Sequence, residues 1–110
     1  LFTLSLLACP MSSWAASLRL TWSDQSNNET GFQVERSLNG TTLSFTQIAA
    51  PVADSVTYTD TLVTEGTSYA YRLRACNSAG CSSYSNTAIG AAPFSIPTAP
   101  TGVTVTAVGP

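Results

Sequence analysis

With 110 residues, 44% of them hydrophobic, the chain has the size and composition of one domain with a single core. Only 9% of residues are charged, against roughly a quarter in an average soluble protein. A net charge of −2 leaves no electrostatic footprint for nucleic acid, the absence of His removes the common catalytic triads and most metal sites, and no apolar run reaches the length of a membrane-spanning helix.

Residues 1–16 carry more than one reading. Phe2-Thr3-Leu4-Ser5-Leu6 alternates with period two, the pattern of a half-buried strand. The run over 1–8 is also short and apolar like the centre of a secretory signal, with Ser13-Trp14-Ala15 as a loose cleavage site but no initiator Met and no basic start. Leu6-Leu7-Ala8-Cys9 further resembles a lipoprotein box. The segment is an opening strand or a signal remnant, and Cys9 is lost with a signal, lipidated, or a free or intermolecular thiol.

From there the pattern is plainer. Leu18, Leu20 and Trp22 share one face of an alternating strand, and a polar loop over 24–31 follows. Gly31-Phe32-Gln33-Val34-Glu35-Arg36 predicts the next strand, with Phe32 and Val34 inward and Gln33 and Glu35 outward. Asn39-Gly40 is a strong hairpin dipeptide, and residues 42–48 return from it. After a connection over 51–55, Val56-Thr57-Tyr58-Thr59-Asp60 reads as a strand and residues 62–66 as a turn around a buried Leu62. Tyr69, Tyr71, Leu73 and Ala75 then share a face, with Arg72, Arg74 and Cys76 on the other. Residues 77–80 turn the chain and 81–89 run back. Short strands separated by frequent turns, with no helical period, make an all-β sandwich or barrel.

Cys76 and Cys81 flank the four-residue turn on paired strands, which brings their Cβ atoms within bridging distance. A disulfide is expected there. It contributes about 2 kcal/mol by loop closure and implies an oxidising compartment. A zinc site lacks the further ligands it needs.

Pro93, Pro97 and Pro100 mark a semi-rigid linker over 93–100. Residues 101–110 alternate again, and Val103-Thr104-Val105-Thr106-Ala107-Val108 echoes Phe2-Thr3-Leu4-Ser5-Leu6-Leu7, as the opening strand of a tandem repeat does.

Several stretches in fixed order then carry a family pattern. They are Leu18-Arg19-Leu20-Thr21-Trp22, the segment from Ser26 to Ser37, Tyr58-Thr59-Asp60, Leu62, the run from Gly66 to Ala75, Asn77, Gly80 and Tyr84-Ser85-Asn86. The pattern resembles a fibronectin type III domain of the kind common in secreted bacterial proteins. The resemblance implies an all-β, immunoglobulin-like, two-sheet antiparallel sandwich over 17–92, with Trp22, Val34, Leu62, Tyr69, Tyr71 and Leu73 in its structural core. It also implies that Tyr69 is a tyrosine corner whose hydroxyl bonds to the preceding loop, that Leu62 plugs the base of that loop, and that Arg36 covers apolar surface with its stem. Glu35 and Arg72/Arg74 become outward neighbours in one sheet, paired across strands. The tail from Pro97 resembles the start of a following domain.

No chemistry is evident. The carboxylates Asp24, Glu29, Glu35, Asp54, Asp60 and Glu65 are scattered, mostly in loops or on outward strand positions. Asp24 and Glu29 share a loop with Asn27 and Asn28, but their spacing fits no calcium-loop pattern. Asn28-Glu29-Thr30 and Asn39-Gly40-Thr41 are formal glycosylation sequons. We expect no catalytic residue, no metal and no cofactor. The expected role is a secreted or cell-surface spacer or contact module whose partners are neighbouring domains or copies of itself. Two alternatives stand beside it. One is a filament subunit joined by exchange of the strand carrying Val103, Val105 and Val108. The other is a carbohydrate-binding accessory domain using Trp14 and Tyr84.

Overall fold

The computed structural model describes residues 3–9, 16–38 and 44–109, with the backbone alone for 6–9. Among the described residues eight strands follow one another: β1 (Leu4–Cys9), β2 (Ser17–Trp22), β3 (Gly31–Leu38), β4 (Thr46–Ala49), β5 (Thr57–Asp60), β6 (Ser68–Asn77), β7 (Gly80–Cys81) and β8 (Ala88–Ala91). Strands β1, β2 and β5 form one sheet in that order. In the other, β4, β3 and β6 lie side by side, and β7 and β8 both pair with β6. Every pairing is antiparallel. The Asn39-Gly40 turn and Trp14 lie outside the described residues.

Period-two alternation builds the core. Leu4, Leu18, Leu20 and Trp22 project from the first sheet onto Phe32, Val34, Tyr69, Tyr71, Leu73 and Ala75 of the second. Trp22 meets Phe32 edge to face with ring centres 5.5 Å apart. Each fully buried aliphatic or aromatic side chain contributes about 1.5–3 kcal/mol by leaving water. Tyr69 does what a tyrosine corner does: its hydroxyl accepts the Thr64 N–H at 2.9 Å and pins the loop between β5 and β6.

Leu62, expected in the core, is instead 82% exposed. Its backbone holds the loop in its place. The Leu62 N–H donates to Asp60 Oδ1 at 3.1 Å, and its carbonyl accepts Arg36 at 2.9 Å. With the peptide fixed this way the side chain turns outward, and Val63 packs partly against the core.

The expected return strand over 81–89 is broken into β7 and β8. Ser82 and Ser85 bridge the gap. Their N–H groups donate to the carbonyls of Ala75 and Leu73 at 2.7 and 2.8 Å. Their hydroxyls accept the N–H groups of the same two residues, each at 3.0 Å. Two side-chain oxygens thus stand where strand carbonyls would have been, and β6 keeps its backbone groups satisfied. On the return from the Asn39-Gly40 turn, the ladder with β3 is confined to Thr46–Ala49, with a register shift at Val34/Glu35.

One seam between the sheets is closed by Asn86. Its Oδ1 accepts the Leu4 N–H at 2.8 Å and its Nδ2 donates to the Leu4 carbonyl at 3.2 Å, imitating a strand partner across the sandwich edge. The opposite seam, between β4 and β5, is a shallow groove lined by Leu38, Ile48, Leu62 and Tyr69.

Beyond β8 the chain leaves the sandwich. The radius of gyration is 19.9 Å, against about 13 Å for a compact chain of this length, and the longest dimension is 83 Å. Residues 103–108, expected as a strand, form none. Val103, Val105 and Val108 are exposed, Val105 by 96%, because an extended segment needs a neighbour to complete its ladder. Among the described residues no helix is long and apolar enough to cross a membrane.

Truncating Leu73 to Ala removes a fully buried side chain and lowers unfolding free energy by about 2–5 kcal/mol. Leu62→Ala changes it by no more than about 0.5 kcal/mol. Urea unfolding of the two variants checks the contrast.

Candidate functional site

Five groupings of polar or exposed residues stand out, and each is best understood by what its members already bond. The most buried lies at the end of the sandwich where β5 finishes. Residues 58 and 60 share the inward face of β5, so Asp60 points between the sheets and is only 2% exposed. Its Oδ2 accepts the Tyr71 hydroxyl at 2.7 Å and Arg36 Nη1 at 2.8 Å, while Oδ1 takes the Leu62 N–H. The Arg36 guanidinium also lies 5.1 Å from the centre of the Tyr69 ring. Burial, followed by the Asp60 hydrogen bond, raises the Tyr71 hydroxyl far above its ordinary value. Burial opposes the Arg36 charge, but the Asp60 hydrogen bond and charge outweigh it and hold the guanidinium above its ordinary value. Three protein donors bond the carboxylate, two of them from strands of the other sheet, so the cluster is a fastening between sheets.

Asp60 was not singled out from the sequence. The signal was there: Arg36 and Asp60 both fall at inward parity on strands of opposite sheets. Two opposite charges aimed into one small core have to meet.

The second grouping covers the outward face of the five-stranded sheet. Glu35 and Arg72 stand opposite each other in the β3–β6 register and pair at 2.8 Å. Arg72 also lies 4.1 Å from the Phe45 ring centre and 3.7 Å from that of Tyr84. Arg74 lies 4.6 Å from Tyr84 and donates to Gln33 Oε1 at 3.0 Å. The Tyr84 hydroxyl donates to Glu35 Oε2 at 3.0 Å. This is a stack of guanidinium groups and rings, half-buried and internally paired, each contact worth about 0.5–1 kcal/mol at most. It leaves Tyr84 with its ring and hydroxyl already in use.

The third is the loop cluster around Glu29. Asp24, Glu29 and Asp54 bring carboxylate oxygens within 4.8 Å of one another, a donor set compatible with a hard cation. The Glu29 oxygens have protein partners: Oε1 accepts the Ser26 hydroxyl at 2.7 Å and Oε2 the Asp54 N–H at 3.0 Å. The Ser26 N–H donates to Asp24 Oδ1 at 3.1 Å. Glu29 thereby ties the β2–β3 loop to the turn before β5, where Asp54 takes a left-handed φ of 67°. The Ser26 hydroxyl, with the nearby N–H groups, lowers the Glu29 pKa from 4.5 to about 2.

The fourth is the β6–β7 tip. Cys76 and Cys81 are directly opposed in the ladder and joined by a disulfide, with Cα atoms 4.0 Å apart. The Cys76 carbonyl accepts both the N–H and the hydroxyl of Thr30, at 2.8 and 3.2 Å, and Asn77 Nδ2 donates to the Asn28 carbonyl at 3.0 Å. The bridge, like the Glu29 staple, holds loops. The fifth grouping is the arm over 92–109, where Phe94, Ile96, Val103, Val105 and Val108 are exposed. Of the core residues named from the sequence, Trp22, Val34, Tyr69, Tyr71 and Leu73 are buried together, while Leu62 is not.

Two antiparallel sheets, a tyrosine corner and a β1-β2-β5 / β4-β3-β6 order define an immunoglobulin-like sandwich of all-β class. The solved structures narrow this. A Fn3-like protein from Clostridium thermocellum is 32% identical, over 77% of this chain and 84% of its own, with a TM-score of 0.59. The chain belongs to the fibronectin type III family. A β-1,2-glucanase from Parabacteroides distasonis (19% identity, 86% of this chain, TM-score 0.68) shares the fold. So does a pectate lyase from Pectobacterium carotovorum (22% identity, 99% of this chain, TM-score 0.67). The chain spans only 13% and 30% of those two proteins. No family model and no curated protein matches the sequence.

A depressed carboxylate contributes stability above its unfolded pKa and loses it as pH falls through the folded one. The Glu29 staple is therefore fully present above about 4.5 and is released as pH falls toward about 2. The Asp54 amide proton resonance will titrate with a midpoint near 2, and Ser26→Ala will move that midpoint up toward the ordinary value.

Proposed function

We propose that this chain is a non-catalytic extracellular module, a spacer or contact domain within a larger secreted or surface protein. The observation that carries this reading is where unmet bonding capacity lies. The Asp60 and Glu29 carboxylates are bonded within the sandwich. The apolar alternating segment beyond the linker is exposed and pairs with no strand among the described residues. The arm carries the most exposed of the valines, and the natural complement of such an alternating segment is a neighbouring domain. Two of the sandwiches it resembles are parts of much longer bacterial proteins, which supports a modular setting. The Cys76–Cys81 bridge supports an oxidising compartment.

A second reading is favoured by the same strand. Val103, Val105 and Val108 would add to the free edge of another copy and build a filament, a head-to-tail contact that does not close. A carbohydrate role draws on the likeness to the glucanase and the pectate lyase, but Tyr84 speaks against a sugar-stacking platform because two guanidinium groups already lie against its ring.

Sedimentation of the chain with and without residues 93–110 separates the first two readings. The module reading predicts a monomer in both. An assembly that dissolves on deletion would contradict it and establish the filament.

A further inference from the structure

The start of the arm is held in a way the sandwich does not need. The Ala92 N–H donates to the Thr67 carbonyl at 2.9 Å, and its own carbonyl accepts the Gly66 N–H at 2.8 Å, so the pairing runs past the end of β8. Phe94 then lies against Gly66. A Cβ placed on Gly66 would come within 2.3 Å of the ring, and Gly66 also takes a φ of +74°, so only glycine suits this position. The next residue, Ser95, donates both its N–H and its hydroxyl to Glu65 Oε1. Phe94 is itself 77% exposed. Its contact adds little to the core, and what it fixes is the path of the chain. Pro93, Pro97 and Pro100 stiffen the stretch that follows.

We infer that Glu65 and Gly66 form a seat for Phe94 and Ser95 that sets the direction in which the arm leaves, making it an oriented joint for a neighbouring sandwich domain that takes up residues 103–108. This rests on the module reading above. A free tether would spread its load over a wide cone, whereas a seated arm holds two bodies at one angle and raises the effective concentration of the terminal strand at a single place. Two features make the seat specific: a side-chain carboxylate that captures a backbone N–H thirty residues on, and a glycine whose missing side chain leaves room for the ring.

The test uses the whole chain. Spin labels are placed on two exposed positions, Thr59→Cys in β5 and Thr104→Cys in the arm, with Cys9→Ser removing the remaining thiol outside the disulfide. Pulsed electron resonance then gives the label-to-label distance distribution. The seated joint predicts one narrow distribution, broadened about twofold or more when Glu65→Ala and Phe94→Ala are added. It also predicts that the Ser95 amide exchanges at least tenfold more slowly than that of Thr104, and that Glu65→Ala removes this protection while β6 amides keep theirs. A broad distribution in the parent, or a Ser95 amide as fast as Thr104, overturns the joint. A monomeric chain with a broad distribution would leave the module reading standing with a free tether. Arm-dependent assembly would contradict the module reading instead.

Discussion

Asp60 ends β5 in the three-stranded sheet, yet two of the groups that satisfy it, Arg36 on β3 and Tyr71 on β6, belong to the other. A carboxylate 2% exposed is costly to bury unless its oxygens are bonded, and removing any partner leaves charge or hydroxyl stranded in the core. The constraint therefore acts as a gauge. The sheets must sit at the distance and register at which three strands bring these side chains together. Leu18 opposite Asp60 and Leu38 opposite Tyr69 lie at the same end of their ladders, so the apolar registers agree with the polar one. The loop after β5 follows from it too, since Leu62 is held by both its peptide groups to members of the cluster.

Around that fastening the fold closes its seams and loops with short polar side chains. Asn86 joins Leu4 across one edge, and Ser82 and Ser85 carry the β6 ladder over a gap in its neighbour. A chain with few charges and much Ser, Thr and Asn is well suited to this, because such side chains reach backbone groups one strand away without the desolvation cost of an ion. Within this scheme the indole N–H of Trp22 is the exception, a buried donor with no hydrogen-bond partner among the described residues.

Much of the sandwich was legible as period-two alternation: Leu18, Leu20 and Trp22, then Phe32 and Val34, then Tyr69, Tyr71 and Leu73 all face the core as their parity requires. The cysteine pair was legible because two half-cystines flanking a tight turn on paired strands have one geometry open to them. What hydropathy misjudged was the pair Asp60 and Leu62. A carboxylate reads as solvent-facing and a leucine as buried, and here they are exchanged. Hydropathy does not see a donor on another strand, and Asp60 has two of them. Residues 103–108 mislead for the opposite reason: their alternation is genuine, but a strand is a property of a pair, and its partner is not among the described residues. The Glu29 staple escaped notice because Asp54 reaches it through a left-handed turn that spacing alone does not reveal.

Asp60 acts between the sheets through Tyr71, and a double-mutant cycle measures that link directly. Unfolding free energies of Asp60→Asn, Tyr71→Phe and the double variant give the coupling between the two side chains. A coupling of about 1 kcal/mol or more is expected, because the second substitution removes a hydroxyl already deprived of its charged partner. Effects that add to within about 0.3–0.5 kcal/mol would contradict it.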